Sequence, residues 1–261
     1  MTASPTRPYT VVLIDLTTSA TPSNLRPGAF LPALAQALTE QVQGPFAQAY
    51  GQQLVTLAVG SCDTRQPGDI AMNFRDSLDV QGALAYHTEV NGIPDIEIGC
   101  DLFESLGDEG EAMSQGAGHE LLEMLRDPGA NLWADMGQGI MRAEEVCDTV
   151  QNSGYKSSNG LWMTNFLLPT AWIPGAPGPW DYLGLMKSQD DYSLGYEIQA
   201  APPTNESQVG GMRHSPGRLG MSIGHLLGNV FARSDAPAMG PKMLARKRSR
   251  YGRSYRRGVR F

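Results

Sequence analysis

The pattern of apolar and polar positions divides the chain into a strand-rich first half and a looser second half. Val11 to Leu16, in YTVVLIDLT, is apolar except at Asp15 and has the length of one buried strand. Phe30, Leu31, Leu34, Leu38 and Val42 then recur at helical spacing. That spacing predicts an amphipathic helix over 28–43, which Pro45 ends or kinks. QLVTLAVGS (53–61) reads as a second buried strand, and Ile70, Met72 and Phe74 alternate through a third over 68–77. Two further strand-like runs, 82–90 and 94–103, flank Asn91-Gly92, a dipeptide that favours a tight hairpin turn. A helix follows over 111–125, and Asp127-Pro128-Gly129 stops it. Gly116 and Gly118 lower its intrinsic stability by about 1 kcal/mol each relative to Ala. Their presence predicts a close approach, by another strand, to the helix backbone.

Beyond 130 the periodicity fades. The segment 130–200 is loop-rich and holds all four tryptophans, Trp133, Trp162, Trp172 and Trp180. LWMTNFLLPTAW predicts one strand there, with Trp162, Phe166, Trp172 and Trp180 packing the lower half of the molecule. From 201 the chain is rich in Pro, Gly, Ser and Met, with one apolar patch (221–231) that suggests a short helix. The domain boundary is therefore placed at 200, with 201–261 as an extension.

Charge sharpens that division. Residues 242–261 carry nine Lys/Arg and no Asp/Glu, which leaves 11 basic and 27 acidic residues, a net of −16, in the first 241. Arg246, Lys247, Arg248, Arg250, Arg253, Arg256, Arg257 and Arg260 are interleaved with Tyr and Phe. Such an arm suits phosphates and stacked bases, or an acidic protein surface. No run of about 18 apolar residues is present, and MTASPTRPYT has no apolar core, so neither a membrane span nor a secretion signal is expected. Three cysteines without paired spacing suit a reducing compartment.

The candidate chemistry lies in GAGHELLEMLRDP (116–128). His119 and Glu123 are four residues apart, so on a helix they share a face and can grip one ion. Glu120 points beside them, where a carboxylate can activate a metal-bound water. An imidazole and a carboxylate suit zinc, and the carboxylate also admits manganese or calcium. A third ligand is expected from AEEVCD (143–148): Glu144 or Glu145 as carboxylate, with Asp148 as a ligand or as the partner of the free His119 ring N–H. His87, in AYHTE, is either a further ligand or substrate contact or simply a satisfied histidine. No GxSxG, phosphate-loop or dinucleotide fingerprint is found.

The order strand, helix, four strands, helix resembles the upper half of the zincin metalloproteases, with HExxE in place of HExxH. EEVCD is similar to the Glu-x-x-x-Asp ligand segment of the gluzincins, here Glu144 to Asp148. A closer similarity joins ALAYHTEVNGIPDIEI, GHELLEMLRDP, AEEVCDTV, LWMTNFLLPTAW and GPWDYLG to a family of mostly uncharacterised phage and bacterial proteins. There Glu123 is the norm, and Glu145 is the matching acid. The resemblance implies an α+β, zincin-like fold with a mixed sheet and a zinc site of His119, Glu123 and Glu145. It also implies either a metallopeptidase-like activity with Glu120 as base, or a virion structural protein in a particle or host cytoplasm. In the latter, the basic arm meets virion proteins or nucleic acid, and the chain sits as an oligomer within an assembly.

Overall fold

The structure, a computed structural model, describes residues 9–51, 53–80, 83–90, 93–103, 112–192 and 197–199. The short helix expected at 221–231 and the basic arm lie outside the described residues. The fold is mixed α+β, built on one mixed sheet and one long helix. Strand β1 (Tyr9–Asp15) pairs in parallel with β2 (Val55–Gly60) on one side and with β3 (Ile70–Arg75) on the other. Strand β5 (Ile93–Gly99) continues the sheet in parallel beside β3, and β4 (Ala85–Val90) closes it as an antiparallel edge. The order is β2-β1-β3-β5-β4. Strands β4 and β5 pair as the antiparallel hairpin expected on either side of Asn91-Gly92, up to Val90 opposite Ile93, and residues 91–92 themselves lie outside the described ones.

The central strand is buried on both faces. Val11 and Leu13 belong to the main core, and Val12 and Ile14 pack with Ala71 on the reverse face. Helix α1 (Leu31–Gln41) places Leu34 and Leu38 in the main core. Each fully buried leucine contributes about 2 kcal/mol. The regular α-helix ends at Gln41, just before Pro45, but the helical course continues. A π turn (Val42–Phe46) absorbs the missing N–H, and helix α2 (Ala47–Tyr50) runs on to Gly51, whose φ of 86° makes the stop.

Helix α3 (Met113–Arg126) packs against β4, β5 and a short strand, β9 (Trp162–Thr164). Its glycines are indeed approached closely, but by side chains rather than by a strand backbone. A Cβ at Gly116 would stand 2.6 Å from the Phe103 ring, and one at Gly118 would stand 2.8 Å from Gln41 Oε1. Gln41 Nε2 donates to the Thr164 carbonyl at 2.8 Å, so that contact is also fixed. Gly116→Ala is expected to cost about 1–3 kcal/mol, as overpacking does in a filled core. A urea midpoint equal to that of the wild type would refute this.

The second half is organised by short pairings. Strands β6 (Trp133–Gly137) and β7 (Ile140–Ala143) form a hairpin, joined on the β7 side by β10 (Glu197–Gln199), and β8 (Gly154–Lys156) pairs with β9. The strand expected across LWMTNFLLPTAW is thus only three residues long, and Pro169–Trp172 is a 3-10 turn. Of the aromatic set, Phe166 is fully buried in the main core, while Trp172 and Trp180 pack around Leu167 and Ala171. Trp162 lies partly exposed, with the Lys156 ammonium 5.4 Å from its ring centre.

Asp181 fastens this region. Its carboxylate accepts from Asn165 Nδ2 at 2.7 Å, Met186 N at 2.9 Å and Leu185 N at 3.1 Å, and it is wholly buried. Asp181→Ala should cost about 3 kcal/mol, since the buried Asn165 amide and two part-buried backbone N–H groups lose a charged acceptor. Thermal unfolding of the variant tests this; a loss below about 1 kcal/mol would show that water replaces the carboxylate.

Candidate metal centre

Every residue of α3 from Met113 to Met124 is buried, so His119, Glu120 and Glu123 point into protein. Buried charged or polar groups need partners, and two neighbouring elements supply them. One is the turn after β7, which carries Glu145, Cys147 and Asp148. The other is edge strand β4, which carries His87.

His119 Nε2 lies 3.0 Å from Glu123 Oε1 and 3.3 Å from Asp148 Oδ1. The nitrogen and both Asp148 oxygens are nevertheless buried without a hydrogen-bond partner. The contacts have the distance of hydrogen bonds but not their alignment. Ligand atoms about 2.0–2.2 Å from a common tetrahedral ion stand about 3.3–3.6 Å from each other, so the Asp148 contact already has that spacing and the Glu123 contact is a few tenths of an ångström shorter. Glu123 Oε1 also accepts the Cys147 backbone N–H at 3.2 Å, which orients the carboxylate. Ligand atoms of His119, Glu123 and Cys147 lie within 4.8 Å of one another, and so do those of His87, Glu120 and Glu123. Either group could hold a metal ion.

The residues expected from the sequence divide as follows. His119 and Glu123 come together, and Asp148 adjoins them. Glu145 is buried and keeps one carboxylate oxygen without a partner, but it belongs to neither three-residue group. Glu144 likewise belongs to neither group, and its carboxylate pairs with the Arg126 guanidinium. His87 makes a specific contact: its Nδ1 lies 3.0 Å from Glu120 Oε2, and its Nε2 lies 3.2 Å from the Asp127 carbonyl oxygen. Asp127 also stops α3, since its carboxylate accepts the N–H groups of Asn131 and Leu132 at 2.7 and 2.6 Å. The sequence reading missed Cys147. Its position between Glu145 and Asp148 was the available signal.

The electrostatics follow from burial. Desolvation and the Glu123 charge push Asp148 up to about 8, and they push Glu145 well above the usual carboxylate range. Burial also raises Glu120, against the opposing pull of His87. Burial and the Glu123 charge hold the Cys147 thiol well above its ordinary value. For His119, burial disfavours the imidazolium, but Glu123 and Asp148 outweigh it and raise the ring well above its ordinary value. Carboxylates that resist ionisation beside an imidazole that favours charge form a centre short of positive charge.

Among the described residues no helix is long and apolar enough to cross a membrane. No family model, curated protein or solved structure matches the chain.

Proposed function

We propose that this chain is a divalent-cation-binding protein on a zincin-like scaffold, metallopeptidase-like in plan, whose ion serves the fold of a virion component. Zinc is the first choice, given an imidazole, carboxylates and a thiol within reach. The element order strand, helix, four strands, helix supports the scaffold, and the i, i+4 pair on α3 supports the ion.

The observation that carries the structural role is closure. His119 Nε2, Glu120 Oε1, Glu145 Oε2 and both Asp148 carboxylate oxygens are all buried. Structural metal sites are closed, whereas catalytic ones keep a position open to water and substrate. An ion here ties α3 to the 145–148 turn. The particle assignment rests on the basic arm, including Arg246 to Arg260, and on the sequence strings.

A second reading has one observation in its favour. Glu120 adjoins His119 and has one oxygen without a partner, as a water-activating base would. The two readings separate in one experiment. The purified full chain should carry bound divalent metal, lose it in His119→Ala, and leave casein intact. Absence of metal would sink the centre. Casein hydrolysis that Glu120→Gln abolishes, with the His119 ion retained, would establish the peptidase instead. Deletion of 242–261 should abolish incorporation into particles; normal incorporation would remove the arm's role.

A further inference from the structure

The two potential ion groups share Glu123. We propose that the centre is dinuclear: Glu123 bridges one divalent cation on the His119 side and a second held by His87 and Glu120. This rests on the metal-binding reading above and adds a second ion to it.

The partnerless Glu120 oxygen in the group with His87 and Glu123 points to the second ion. His87 Nε2 faces the Asp127 carbonyl oxygen at 3.2 Å, and a carbonyl only accepts, so Nε2 carries the hydrogen. In the neutral ring Nδ1 is then a bare acceptor, yet it stands 3.0 Å from Glu120 Oε2, another acceptor. A proton on Nδ1 or on the Glu120 carboxyl joins the two in the absence of metal, and a cation that both atoms ligate can take the place of that proton. Glu120 Oε1, fully buried, has no partner at all. Glu123 joins this group from one turn further along α3, while its Oε1 stands 3.0 Å from His119 Nε2. A carboxylate has two oxygens and about four lone-pair sites, enough for two ions and the Cys147 N–H.

Charge balance agrees. Glu120, Glu123, Glu145 and Asp148 are each at most 2% exposed, and two divalent cations with neutral His87 and His119 neutralise all four. With a single ion, two of the four must hold protons or face an imidazolium, and the second ion takes the place of those protons. In this arrangement Glu120 is a ligand, which is why its carboxylate is turned towards His87.

The test counts ions. The full chain is stripped with chelator, dialysed against excess zinc chloride and then against metal-free buffer, and analysed by plasma mass spectrometry. Two zinc ions per chain are expected in the wild type and one in His87→Ala. A wild-type count of one overturns the pair. If His119→Ala removes that single ion, the mononuclear centre stands; a wild-type count of zero removes both proposals. Should His87→Ala fail to fold, the wild type loaded with manganese decides. Ions sharing a carboxylate sit about 3.5–4 Å apart and give an exchange-coupled resonance spectrum. The six-line spectrum of isolated manganese would overturn the proposal.

Discussion

Chelation is expected to lower the melting temperature of this protein by about 8–16 °C. The argument is linkage: an ion that binds only the folded chain, at about a thousand times its dissociation constant, stabilises it by about 4 kcal/mol. In a domain of this size each kcal/mol moves the midpoint by about 2–4 °C. The large value follows from what the ion holds together. His119, Glu120 and Glu123 come from α3, whereas Glu145 and Asp148 come from the turn after β7. Without a cation those carboxylates face one another in a dry interior, where burial already pushes Asp148 up to about 8. Scanning fluorimetry with EDTA, then with zinc restored, checks this. A shift below about 2 °C would mean that protons alone satisfy the cluster and that no ion supports the fold.

Whatever was coded locally could be read from the sequence. The apolar run of β1, the helical spacing of α1, the pairing of β4 with β5 and the stop at Asp127 each depend on a few neighbouring residues. His119 and Glu123 belong with these, because an i, i+4 pair on a helix is a local fact. Pro45 marks the break in the regular helix, but one residue does not reveal that a π turn carries the helical course past it. The short strands of the second half are three to five residues long, too short for a two-residue period to show. The contact between His87 and Glu120 depends on how edge strand β4 lies against α3, which no local pattern encodes. Glu144 and Glu145 are neighbours with the same side chain; only the Arg126 pairing and the deeper burial of Glu145 separate them.

Glu123 is the position where substitution should change the centre most. Glu123→Gln keeps the shape and an oxygen for the Cys147 N–H, which now lies 3.2 Å from the carboxylate. What it removes is the charge and one donor to the ion. Loss of a residue that merely orients a ligand costs about 10–100-fold in affinity, so loss of the ligand itself should cost at least about 100-fold. Glu123→His, which spells HExxH, should behave differently. An imidazole is a good zinc donor but a poor one for harder ions, so zinc is retained while manganese is lost, shifting preference by at least about tenfold. The larger ring enters a filled, buried site and should cost about 1–3 kcal/mol of stability as well. Competition titrations of zinc against manganese on the wild type and both variants give the answer. If Glu123→Gln binds zinc as tightly as the wild type, Glu123 is not a ligand, and its 3.0 Å contact with His119 is an ion pair only. If Glu123→His keeps the wild-type preference between the two metals, the carboxylate does not set the hardness of the site, and the HExxE spelling carries no chemical consequence of its own.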